Sequence, residues 1–317
     1  MKPTVKFYDP AVHGITQGML ATWMACRQKA RWFLQGYSLK TTTLALTYGE
    51  IGHAVLEMAY KDKFTLSPEK VKGYVAKVEA LWRKEHPKAD KKALEYLEMS
   101  LLIAEATLPL YFSYWRKDVK EIKWVQLEQE FKLPYTTQDG RSTFIRGKMD
   151  GVFNSGKKLW LFESKFKSRI SEEDMVDTLP FEMQVGLYLW ALQKLHKKIP
   201  SGVLYNVIRR AGLQQKSSET MPQFAQRCID DIKSRPEFYF LRLEIAVSEK
   251  DLECFTGELE DMIVDFLDWW EGKSGHYKCT AECINKYGRC NYLPLCASKR
   301  FELYVKRDQV YRELEDM

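Results

Sequence analysis

The stretch Thr143-Phe-Ile-Arg-Gly-Lys-Met-Asp150-Gly-Val-Phe153, a turn at Asn154-Ser-Gly-Lys-Lys158, and then Leu159-Trp-Leu-Phe-Glu163-Ser-Lys165-Phe166 leaves this chain few choices of fold. Two runs of apolar and aromatic residues on either side of a glycine-containing turn read as a β-hairpin. Strand side chains alternate between faces, so Glu163 and Lys165 share one and can meet Asp150 across the ladder. The simplest structural reading is a salt bridge between Glu163 and Lys165. A strand entered through Leu-Trp-Leu-Phe is half-buried, however, and an unpaired carboxylate there is costly, which calls for a further partner such as a metal.

The neighbouring segments give the hairpin its setting. Trp124 to Tyr135 reads as a strand, and Thr136-Thr-Gln-Asp-Gly140 turns it towards the strand carrying Asp150. Pro180-Phe-Glu-Met-Gln184-Val-Gly-Leu-Tyr188 opens a helix that presents Gln184 and Tyr188 on one face, and Val203 to Ile208 follows as another strand. Upstream, a helix from Thr47 to Lys61 carries His53, which taken alone would be read as a satisfied core histidine. Residues 14–36 read as a turn and an amphipathic helix with Cys26 inside it, and 68–120 as helices with a solvated polar face. The basic stretch 209–236 suits either a loop that meets a phosphate backbone or a plain surface loop. A strand over 238–247 and a long amphipathic helix over 250–272 complete the pattern.

Asp150, twelve residues, Glu163-x-Lys165 and Gln184-x-x-x-Tyr188 together resemble the PD-(D/E)XK nuclease superfamily, in particular its RecB-like branch. Gly49-Glu-Ile-Gly-His53 is similar to that branch's upstream G-x-x-x-H motif. The resemblance implies an α/β fold with a restriction-endonuclease-like core, a central mixed sheet flanked by helices. It implies catalytic roles for Asp150, Glu163, Lys165, Gln184 and Tyr188, and Mg²⁺ or Mn²⁺ held by His53, Asp150, Glu163 and the Phe166 backbone carbonyl. Glu130 resembles a supporting acidic residue on the first strand.

Seven cysteines occur, four of them between Cys279 and Cys296, which favours a metal or cluster site over disulfides. Cys283, Cys290 and Cys296 resemble the carboxy-terminal triplet of iron–sulfur RecB-like nucleases, such as the CRISPR-associated and phage exonucleases. By that resemblance Cys26 is the fourth ligand of a [4Fe–4S] cluster. Four thiolates also suit Zn²⁺, and Cys279 competes as a ligand.

The organisation expected is an amino-terminal helical region, 1–120, packed on the core, the nuclease core, 121–235, and a carboxy-terminal strand, helix and iron–sulfur hook, 236–317. With 45% hydrophobic residues the chain can bury a sizeable core. No apolar run approaches the roughly 18 residues of a membrane span, and the start lacks an apolar leader, so a cytoplasmic setting without membrane is expected. The net charge of +6 is too mild to identify nucleic acid by itself. The function expected from the resemblance is a metal-dependent DNA nuclease, an exonuclease on single strands or duplex ends in recombination, repair or phage DNA metabolism, working with a helicase or recombination partner on another chain. The alternative is a DNA-binding or interaction module of a helicase–nuclease or integration complex.

Overall fold

The computed structural model describes residues 8–40, 43–62, 67–87, 89–168, 171–285 and 288–307. The first seven residues, part of the start from which the absence of an apolar leader is expected, lie outside the described residues. Asp9 caps a single turn, α1 (Pro10–His13), and Gly14, at φ 78°, swings the chain into β1 (Ile15–Thr16). A side chain at Gly14 would also meet the Phe144 carbonyl oxygen at 2.7 Å. Thr16 caps α2 (Gln17–Ala25), and α3 (Arg27–Leu34) starts immediately after Cys26. Cys26 is therefore not inside one helix as predicted: its extended backbone, φ −164° and ψ 118°, breaks the segment in two.

After β2 (Tyr37–Leu39), Thr43 caps α4 (Leu44–Lys61). Helices α5 (Pro68–Glu85) and α6 (Lys91–Tyr114), each with a side-chain cap, pack on α4, and the short α7 (Asp118–Glu121) follows. Strands β3 (Lys123–Thr136), β4 (Ser142–Ser155) and β5 (Lys158–Lys167) form the expected antiparallel meander. Next come α8 (Glu172–Thr178), a 3₁₀ turn over Leu179–Phe181 and α9 (Met183–His196). Pro180 thus lies in the turn ahead of α9, and Glu182 is the residue that caps it.

Strand β6 (Gly202–Arg209) runs parallel to β5, as a crossover through a helix requires. The stretch predicted as a loop contains α10 (Met221–Ser234), nucleated by a capping box between Thr220 and Gln223. One turn, α11 (Pro236–Tyr239), leads into β7 (Phe240–Ala246), antiparallel to β6, and Ser248 caps α12 (Glu249–Trp270). The carboxy-terminal segment adds β8 (Ile284–Asn285), β9 (Gly288–Arg289), α13 (Leu293–Ser298) and β10 (Tyr304–Lys306).

The central sheet has the order β1-β4-β5-β6-β7, with β3 on the other edge of β4. Apolar layers cover both faces. Leu20, Val185, Leu189, Leu259 and Phe266 from α2, α9 and α12 bury one face, and Ile51, Val55, Tyr111 and Phe224 from α4, α6 and α10 bury the other. A third cluster, Tyr292, Leu295 and Tyr304 against Trp32 and Tyr37, seats the cysteine segment on α3, and β10 pairs with β2. Among the described residues no helix is long and apolar enough to cross a membrane.

Candidate active site

The register of the sheet opens a notch in β4. On the edge of β4 away from β3, pairing with β5 stops at Gly151 and Phe162, and β1 takes over only at Ile145 and Arg146. Asp150 sits between these two ladders, one position beyond the last pair with β5. Its Oδ2 accepts the Ser164 backbone N–H at 2.7 Å. Asp150 and Glu163 therefore come together where the strands part, one step past the ladder across which the sequence placed them.

Glu163 is 2% exposed. Lys165 Nζ donates to Glu163 Oε1 and to Gln184 Oε1, both at 2.6 Å, and Gln184 Nε2 donates to the same Glu163 oxygen at 2.9 Å. Glu163 Oε2 is buried and accepts no hydrogen bond from the described residues. A buried carboxylate oxygen without a donor is expensive, and a cation beside it would remove the cost. Burial pushes the Asp150 and Glu163 carboxyls above their ordinary range, with the Asp150 charge adding to the effect on Glu163. Burial opposes the charge on Lys165 as well, but Glu163 holds its pKa above the usual lysine value.

Helix α4 brings His53 in from the opposite side of the sheet to α9. Its Nδ1 is 3.5 Å from Asp150 Oδ2, too long for a good hydrogen bond, and its ring meets Phe166 edge-on at 5.2 Å. Burial lowers the imidazole pKa although 37% of the side chain is exposed, which favours the neutral form that a metal ligand needs. Gly52 lets α4 approach, because a Cβ there would meet the Phe166 ring at 2.4 Å, whereas Gly49 faces open space. Phe166 itself runs in the β5–β6 ladder opposite Ile208. Tyr188 is buried over Gly147, where a Cβ would come within 2.9 Å of the Tyr188 ring and 2.7 Å of Phe131. Burial first, then the Glu163 charge, push the Tyr188 hydroxyl pKa well above its ordinary value.

Glu130 stands exposed, opposite Lys148 in the β3–β4 ladder, and its charge reaches Lys148 and Arg146. The acidic residue of β3 that faces the notch is Glu128, which sequence reasoning missed. It is 13% exposed, adopts φ 50° and binds Lys148 Nζ at 2.8 Å. Burial pushes its carboxyl to about 7, Lys148 partly offsets this, and the charges of Asp150 and Glu57 add to the rise. Both acids could have been found from the sequence. Counting back from the β3–β4 turn sets Glu128 opposite Asp150, and Glu57 lies one helical turn after His53.

Five of the seven cysteines, Cys26, Cys279, Cys283, Cys290 and Cys296, lie towards the other end of α2. All seven are free thiols. The Cys279 N–H donates to Cys26 Sγ at 3.3 Å, Trp32 Nε1–H to Cys296 Sγ at 3.3 Å, and the Tyr292 N–H to Cys290 Sγ at 3.5 Å. Burial, then the charges of Cys290, Cys26, Cys296 and last Cys279, raise the Cys283 thiol pKa, so each of these four cysteines lies within electrostatic reach of Cys283. Among the described residues no three or more His, Cys, Asp or Glu side chains are drawn together tightly enough to hold a metal ion as they stand.

The sequence profile of the PD-(D/E)XK nuclease superfamily matches residues 15–297. The central mixed sheet flanked by helices is consistent with that superfamily's restriction-endonuclease-like fold. Among solved structures the chain is similar to a candidate exonuclease from Eubacterium rectale, at 13% identity over 83% of this chain and 84% of that one, with a TM-score of 0.47. It is also similar to a protein named SSO0001, at 16% identity over 70% of this chain and 81% of that one, with a TM-score of 0.32. No curated protein matches it in sequence.

Proposed function

We propose that this chain, which belongs to the PD-(D/E)XK nuclease superfamily, is a RecB-like deoxyribonuclease that uses Mg²⁺ or Mn²⁺ and digests DNA from single strands or duplex ends. The observation that carries this reading is Glu163 Oε2, buried without a donor beside Asp150 and Lys165. Asp150, Glu163, the neutral His53 ring and the Phe166 carbonyl are the groups that would hold the cation. When bound, the cation supplies the positive charge that phosphodiester hydrolysis needs on the scissile phosphate and its attacking water.

The chain's own residues do the rest. The Ser164 N–H fixes the Asp150 carboxylate, and Gln184 fixes Glu163 and Lys165 at once. Lys165 sits where it can orient the attacking water and stabilise charge on the phosphate oxygens. Tyr188, buried one turn after Gln184 on α9, would help to position DNA and the active-site side chains. At the far end of α2, Cys26, Cys283, Cys290 and Cys296 would hold a [4Fe–4S] cluster, and N–H donors already point at three of their sulfurs, a pattern that suits thiolates. The Cys279 N–H donates to Cys26 Sγ, and the Cys279 thiol is the competing ligand. Zn²⁺ is the competing occupant.

The test is a time course on end-labelled single- and double-stranded DNA with Mg²⁺, Mn²⁺ or a chelator. Progressive loss from ends that stops in chelator is the expected result. Cleavage that continues in chelator would overturn the metal mechanism, and nicking of closed circles at the same rate would overturn the exonuclease mode.

A further inference from the structure

A polar row crosses the otherwise apolar sheet face beneath α4 and α6. In register across three adjacent strands, Ser164 of β5 lies beside Asn206 of β6, and Asn206 beside Arg242 of β7. Their neighbours on that face are Phe162, Phe166, Leu204, Ile208 and Phe240. Asn206 is fully buried and Ser164 is 1% exposed.

The row is joined throughout. Arg242 grips Asp118 with two hydrogen bonds, 2.7 and 2.6 Å, and donates from Nε to Asn206 Oδ1 at 3.0 Å. The Tyr111 hydroxyl accepts from Arg242 at 3.0 Å, donates to Asn206 Oδ1 at 3.1 Å and meets the Tyr60 hydroxyl at 2.8 Å. Asn206 Nδ2 then donates to Ser164 Oγ at 3.1 Å, and the Ser164 N–H ends the chain on Asp150 Oδ2 at 2.7 Å.

We propose that Asn206, held by Arg242, Asp118 and Tyr111, is a positioning residue: it pins Ser164 from behind the sheet, so that Glu163 and Lys165 on either side face the site and the Ser164 amide faces Asp150. A buried ion pair is weak evidence for stability, because apolar residues of similar volume hold such a core as well, so this row is explained better by the geometry it fixes. Without a hydrogen bond at Oγ, β5 keeps its backbone ladder with β6 but loses the side-chain bond that holds Ser164 to Asn206, at the point where its ladder with β4 has already ended. The proposal also gives α6 and α7 a role at the site, since they supply Tyr111 and Asp118.

The inference rests on the metal-dependent nuclease reading, and the test separates the two. In Asn206→Leu and Ser164→Ala, the Mn²⁺ concentration for half-maximal cleavage and the directly measured Mn²⁺ affinity should shift by about tenfold, the scale of one lost hydrogen bond. Exchange of the Ser164 amide should speed up while amides elsewhere in β5 keep their protection. If Asn206→Leu does not fold, Ser164→Ala decides, since it removes only the Oγ acceptor. A folded Ser164→Ala variant with unchanged Mn²⁺ affinity and unchanged Ser164 exchange overturns the positioning role. A wild type that neither binds Mn²⁺ nor cuts DNA overturns the nuclease reading, while the exchange measurement still reports on the row.

Discussion

At the scale of single residues, the site is a set of carboxylates kept from water without enough donors, and two substitutions read it directly. His53→Ala should weaken metal binding by about 10- to 100-fold, the range seen when a metal site loses a supporting partner. Part of the lost activity should return at raised Mn²⁺. If His53 only filled the core, the variant would melt earlier with no change in its metal requirement. Glu128 gives a pH test. Its folded pKa, about 7, lies above the ordinary 4.5, so the folded protein binds this proton more tightly than the unfolded chain does. The stability it contributes is therefore present at acid pH and is lost as pH rises from about 4.5 to about 7, a swing on the order of 3 kcal/mol. Measured by chemical denaturation in chelator, the stability of wild type minus that of Glu128→Gln should fall between pH 5 and pH 8. A difference that is flat or rises with pH would mean that Glu128 is not held in a poorly solvated place.

At the scale of elements, local patterns and the register of neighbouring hairpin strands were legible, and the register between strands far apart in sequence was not. The hairpin, the Gln184–Tyr188 face and the helix carrying His53 follow from periodicities of two and 3.6 that a single segment displays. Where the β4–β5 ladder ends depends on β1 taking over the edge of β4. The Ser164–Asn206–Arg242 row depends on pairing strands far apart in sequence. Neither is a property of one segment. Cys26 was legible as a residue type but not as a helix break, since its extended backbone reflects its place against Cys279. Gly147 is needed by packing: Gly147→Ala should cost about 1 to 3 kcal/mol of overpacking and displace Tyr188. A melt within error of wild type would show that the contact yields freely. The cysteine hook has its own test in anaerobically purified protein. Broad visible absorption should vanish in Cys26→Ala, Cys283→Ala, Cys290→Ala and Cys296→Ala and persist in Cys279→Ala and Cys254→Ala. A colourless wild type with one bound zinc, or colour indifferent to Cys26→Ala, would contradict the iron–sulfur assignment.

At the scale of the whole molecule, the sheet carries the acidic site at a notch in its middle, and helices on both faces reach it. Helix α9 delivers Gln184 and Tyr188 from one side and α4 delivers His53 from the other, while the segment 279–306 is fastened to α3 and β2. DNA affinity in such a protein comes from many basic residues, 49 in this chain, and not from the carboxylates, so chemistry and binding should separate. The direct measurement is cleavage and equilibrium DNA binding side by side for wild type, Asp150→Ala, Glu163→Ala and Lys165→Ala in Mg²⁺ and in Mn²⁺. Cleavage should be lost in all three variants, by a factor of about 10³ or more for a group acting on the transition state, with DNA affinity within a few-fold of wild type. Cleavage retained in Glu163→Ala and Lys165→Ala would contradict the assignment of this notch as the active site.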